Sequence, residues 1–102
     1  MKPVSPRQAV SEEDLEPFRT QIDEIDQKII KLLNERSNLA NNIGEIKQQL
    51  GLPIYMPARE KEILKNVMRT NPGPLSAEAV RRLFERIIDE TRALERQKYQ
   101  SE

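Results

Sequence analysis

Arg36 stands where an otherwise apolar repeat calls for Leu or Ile. The repeat runs Leu15, Phe18, Ile22, Ile25, Ile29, Leu32, Arg36, Leu39, Ile43, Ile46 and Leu50, in alternating steps of three and four. An isolated cation on such a seam is costly unless something anionic meets it. That anion is either an acid of a partner helix, which would fix register, or a bound ligand. Arg19 and Lys47 share the adjacent stripe Arg19, Ile22, Asp26, Ile29, Leu33, Arg36, Ala40, Ile43, Lys47. On pattern alone the plainer reading of those two is as solvated charges at the edge of the seam.

Axial spacing separates the three cations. Arg36 and Lys47 are eleven residues apart, about 16 Å of helical rise, which two long side chains can close on a small dianion. Arg19 and Arg36 are seventeen residues apart, about 25 Å of rise, which no pair of side chains on one straight helix can close around a small molecule. The two arginines therefore serve different sites on their own chain. In a two-fold dimer with antiparallel long helices, Arg19 of the partner subunit would complete the site of Arg36. Further along, Thr91 and Glu95 are four apart and continue the stripe Val80, Leu83, Phe84, Ile87, Ile88. Glu95 either frays into solvent near the end of that stripe or is buried, and burial would raise its pKa and favour a protonated, hydrogen-bond-donating acid. Arg59 and Glu60 form an Arg-Glu pair that is uninformative by itself.

Composition restricts the remaining chemistry. With no histidine and no cysteine, Ser-His-Asp and Cys-His catalysis are excluded, and the ordinary zinc and haem ligands are missing. Gly44, Gly51 and Gly73 are isolated from one another, so there is no Gly-rich phosphate loop or dinucleotide fingerprint. No metal and no cofactor are expected. Seventeen basic and seventeen acidic residues cancel, so no field of one sign spans the molecule to attract nucleic acid or anionic lipid. No apolar run approaches the roughly 18 residues of a membrane span, and the N-terminus lacks a signal-peptide pattern. A cytoplasmic location is the expectation.

Three helices must position these groups. Hydrophobic residues make up 36% and charged residues 33%, with only two Tyr and two Phe as aromatics, which suits amphipathic helices rather than sheets. Residues 1–13, with Pro3 and Pro6, read as a flexible arm. Asp14 is a candidate N-cap, and Pro17 fits only a first turn, so the first helix starts near residues 14 to 16. It ends at Leu50 or Gly51, with Pro53 beyond. A helix of that length needs another chain to cover its seam. Pro57 opens a short second helix that Asn71-Pro72-Gly73-Pro74 stops, and Ser76 caps a medium third. The expected fold is all-α, with one long, one short and one medium helix per chain.

Taken together, these residues resemble the all-helical chorismate mutase family from Leu15 to about Glu95. The resemblance is carried by Arg19-x₂-Ile22-x₂-Ile25-Asp26, Leu32-Leu33-Asn34-Glu35-Arg36, Ile43-Gly44-x₂-Lys47, Tyr55-x-Pro57-x-Arg59-Glu60 and Leu83-Phe84-x₂-Ile87-Ile88. It implies an intertwined helical homodimer, with residues 14–102 as the mutase domain. It also implies the rearrangement of chorismate to prephenate on the route to phenylalanine and tyrosine. By the same resemblance, Arg36 and Arg19 of the partner subunit would bind the two substrate carboxylates, and Lys47 would be shared between a carboxylate and the ether oxygen. Glu95 would donate to that oxygen, Glu60 would accept from the ring hydroxyl, Arg59 would support that end, and Thr91 would bond a carboxylate. Met56 falls where many relatives have Asp near the hydroxyl.

Three other readings compete. Isochorismate-pyruvate lyase resembles the same fold and arginine set, although Glu60 suits the ring hydroxyl of a mutase substrate. A non-catalytic regulatory module for a shikimate-pathway enzyme is the second. A purely structural coiled-coil dimer is the third, and it would tolerate Arg36→Leu.

Overall fold

The computed structural model describes residues 11–99. Residues 1–10 of the expected arm lie outside the described residues, while Ser11 caps a short 3-10 turn at Glu12–Leu15. The Ser11 N–H donates to Asp14 Oδ2 at 3.1 Å, and the Asp14 N–H returns to the Ser11 carbonyl at 3.1 Å. Asp14 therefore closes the turn from inside it, and Ser11 takes the capping position that the sequence reading gives to Asp14. Three helices follow, α1 Glu16–Leu50, α2 Pro57–Thr70 and α3 Ala77–Tyr99. Among the described residues every regular element is helical, as expected.

Helix α1 keeps Pro17 in its first turn, where the missing N–H costs no hydrogen bond. Its C-terminus is closed by a Schellman motif. Gly51, at φ 71, donates to the Gln48 carbonyl at 3.2 Å, and the Leu52 N–H reaches the Lys47 carbonyl at 2.8 Å. Only glycine takes that backbone conformation without steric cost. Pro57 opens α2 as expected. At the far end of α2, the Asn71 side chain bridges the turn, donating to the Leu75 carbonyl at 2.7 Å and accepting from the Gly73 N–H at 3.1 Å. Ser76 caps α3 through its hydroxyl, which accepts from the Ala79 N–H at 3.1 Å.

The chain divides into two compact units between Arg36 and Ser37, and α1 contributes to each. In the first, the described residues are the 3-10 turn and the larger part of α1. In the second, α2 packs on α3. Val80 and Ile88 are buried there, with Ile63, Leu64, Val67, Phe84 and Ile87 half-covered. That core is thin, because Val80 and Ile88 are the only buried large apolar residues among those described. Among the described residues most of the α1 seam is exposed. Ile22, Ile25, Leu32, Leu39, Ile43, Ile46 and Leu50 are all exposed, Leu39 at 64%.

Candidate active site

The second unit builds a charged site from the last turns of α1, the turn that follows it, and the last turns of α3. The Schellman closure folds residues 51–56 back beside Lys47, whose Nζ donates to the Ile54 carbonyl at 3.0 Å. Lys47 thus holds the turn by its backbone carbonyl and its side chain together. On its other side, Nζ lies 3.8 Å from Glu95 Oε2. Glu95 is 6% exposed, and its Oε2 is buried without a hydrogen-bond partner. A buried acid oxygen beside an ammonium, but too far from it for a hydrogen bond, is a group with unfilled bonding capacity.

The Glu95 carboxyl is held above its ordinary range. Burial away from water is the main cause; Lys47 pulls it down and the charge of Glu60 pushes it up. Of the two positions the sequence leaves open for Glu95, the structure selects the buried one.

Gly44 makes this approach possible. It is buried on α1, and a Cβ placed there would stand 2.8 Å from the Tyr99 ring and 3.5 Å from Glu95 Oε2. The Tyr99 hydroxyl donates to the Asn41 carbonyl at 3.0 Å, fastening the end of α3 across α1 one turn before Gly44. A glycine inside a helix costs about 1 kcal/mol relative to Ala, and close packing at this crossing is what that cost allows.

Glu60, half-covered on the first turn of α2, is bridged by Arg92 of α3 through two hydrogen bonds of 3.2 and 2.8 Å. Thr91 donates its hydroxyl to the Ile87 carbonyl at 2.9 Å. Met56 precedes α2 in extended conformation, and its carbonyl accepts from the Glu60 N–H at 3.2 Å. The Arg59 side chain is exposed and pairs with Glu62. Arg19 is exposed and pairs with Glu16 at 3.0 Å, and Arg36 is half-covered on α1. Lys47 and Glu95 are thus brought together, Glu60 stands close enough to influence Glu95, and Arg59 and Arg19 are engaged by acids of their own helices.

Sequence reasoning assigns no role to Arg92, Tyr55, Gly44 or Tyr99. Gly44 carries a usable signal, since an isolated glycine inside a strong helical repeat marks a close approach. Arg92 carries none, because its partner lies 32 residues away on another helix.

Comparison with known proteins adds independent support. The profile of a family described as chorismate mutase type II matches residues 18–96. A bifunctional chorismate mutase/prephenate dehydratase of Aquifex aeolicus is 42% identical over 82% of this chain, which covers 24% of that protein. The chain spans about a quarter of the length of such bifunctional relatives. A chorismate mutase of Methanocaldococcus jannaschii is 41% identical, with 83% of this chain and 87% of that protein aligned. In three dimensions, a chorismate mutase of Thermus thermophilus superposes with a TM-score of 0.78 at 38% identity, covering 79% of this chain and 92% of that one. On its profile match, its sequence relatives and its fold, the chain belongs to the chorismate mutase type II family.

Proposed function

We propose that the chain catalyses the rearrangement of chorismate to prephenate, acting in the cytoplasm as a homodimer with two sites. The observation that carries this reading is part-covered Lys47 standing 3.8 Å from the buried Glu95 carboxyl in a chain of this family. In the reaction an ether C–O bond breaks as a C–C bond forms within one molecule. Such a step needs no nucleophile and no redox partner. It needs the enolpyruvyl arm held over the ring and the charge developing on the ether oxygen stabilised.

Lys47 supplies a fixed positive charge for that oxygen, and Glu95, protonated, donates a hydrogen bond to it. A glutamate can donate only as the neutral acid, and its raised pKa favours that form. Arg36 and Arg19 of the partner subunit bind the two carboxylates, and Thr91 bonds one of them by turning its hydroxyl proton away from the Ile87 carbonyl. Glu60 accepts from the ring hydroxyl, Arg59 supports that end, and at Met56 only the backbone can bond to substrate. A second copy of the chain covers the α1 seam. Burying a Leu or Ile side chain fully contributes about 1.5–3 kcal/mol. The seven seam residues named above are already part-covered, at 53–67% exposure, so covering all of them is worth roughly 6–13 kcal/mol per chain, comparable with the cost of association.

The test is incubation with chorismate and, separately, with isochorismate, followed by identification of the products. Prephenate from chorismate supports the proposal. Pyruvate released from isochorismate, without prephenate from chorismate, would assign the chain to the lyase instead, and no turnover of either would leave a binding module.

A further inference from the structure

Glu60 is the only acid between Gly51 and the second turn of α2, and it does not stand alone. Arg92 donates from Nε to Glu60 Oε2 at 3.2 Å and from Nη2 to Oε1 at 2.8 Å. Both side chains are largely covered, at 22% and 23% exposure. Asp89 Oδ1 accepts from the same Nη2 at 3.3 Å, and the guanidinium carbon sits 4.8 Å from the centre of the Tyr55 ring. Arg92 is therefore fixed by an acid of its own helix and by an aromatic face of the preceding turn before it reaches α2. The pairs Arg81–Glu85 and Arg86–Glu90 on the same helix are exposed neighbours one turn apart, of a kind that contributes little.

We propose that Arg92 is a positioning residue for the mutase reaction, holding the Glu60 carboxylate in the plane and direction from which it accepts the substrate's ring hydroxyl. The inference rests on the function proposed above. A two-pronged arginine fixes a carboxylate in plane as well as in place. It also takes only two of about four acceptor directions, so a hydroxyl can still bind. Met56 contributes no polar side chain at this end of the site, so recognition of the hydroxyl by side-chain acid falls to Glu60, and its orientation matters accordingly.

The alternative role for the pair is to tie α2 to α3, and chorismate kinetics separate the two. Native protein, Arg92→Met, Arg92→Lys, Glu60→Gln and the Arg92→Met/Glu60→Gln double variant are compared, with thermal melting of each as the check on folding. Arg92→Met is expected to raise KM about tenfold with kcat changed by less than about threefold, and Arg92→Lys to recover part of the loss. In the Glu60→Gln background the same replacement should change KM by less than about twofold, because the group it acts through is gone. Equal fold-losses in both backgrounds, or a lower melting temperature with KM unchanged, would overturn the inference and leave the mutase reading intact. Absence of chorismate turnover in the native protein would overturn that reading, and this inference with it. If Arg92→Met does not fold, the same cycle is run with Arg92→Lys.

Discussion

Lys47 Nζ and Glu95 Oε2 stand 3.8 Å apart at the crossing of α1 and α3, and the acid oxygen has no hydrogen-bond donor although it is buried. The ammonium is anchored instead on the Ile54 carbonyl at 3.0 Å. Its charge is thereby fixed before any substrate arrives, which is the condition under which electrostatic stabilisation is most effective. Replacing Lys47 by Ala should lower kcat about 10²- to 10³-fold, the usual cost of losing one preorganised donor. Steady-state kinetics check this. A variant with higher KM and intact kcat would place Lys47 in ground-state binding.

Gly44 yields a prediction about sign. Gly→Ala in a helix ordinarily stabilises by about 1 kcal/mol, but here the new methyl would meet the Tyr99 ring at 2.8 Å. Displacing a ring held by its hydroxyl to Asn41 costs about 1–3 kcal/mol as overpacking. Gly44→Ala should therefore destabilise by roughly 1 kcal/mol alone and stabilise by roughly 0.5–1 kcal/mol in a Tyr99→Ala background. Urea denaturation of the four proteins at one concentration measures both values. The same sign in both backgrounds would show that Tyr99 is not what requires the glycine.

Arg19 and Arg36 are seventeen positions apart on the continuous helix α1, about 25 Å of rise. If each site takes Arg36 from one subunit and Arg19 from the other, inactive Arg19→Ala and inactive Arg36→Ala proteins should regain activity when mixed and allowed to exchange. One site of each heterodimer then carries both native arginines, and the expected recovery approaches a quarter of native activity at full statistical exchange, since half the dimers are mixed. Mass spectrometry of labelled chains verifies the exchange. Proven exchange without recovery would mean that the arginines do not share a site across subunits.

Much of the fold is legible in the sequence because its punctuation is local. Pro17, Gly51, Pro57 and Ser76 each act through their own backbone or hydroxyl, and each marks a helix boundary where it is expected. Lys47 and Glu95 are also legible as candidates, since both fall on stripes that face other helices. What the sequence leaves open is decided by packing between segments far apart in the chain. Whether Glu95 is buried depends on Gly44 admitting α3, and whether Glu60 has a fixed partner depends on Arg92 reaching across from another helix. Asp14 is misread because Ser11 competes for the same cap, and the 3-10 turn places the acid inside it.

The pH profile of kcat for native and Glu95→Gln proteins tests the account most directly, with folding verified at each point. Burial raises the Glu95 pKa above its ordinary value, against the pull of Lys47 and with the push of Glu60. If the neutral acid donates to the ether oxygen, the active form is the protonated one, so kcat is highest at low pH and falls as pH rises through the pKa of Glu95 in the complex. Gln has a similar shape and donates at every pH, so the variant should lose that decline and keep its activity in alkaline solution. Parallel profiles for the two proteins would contradict the account and leave Lys47 alone at the ether oxygen.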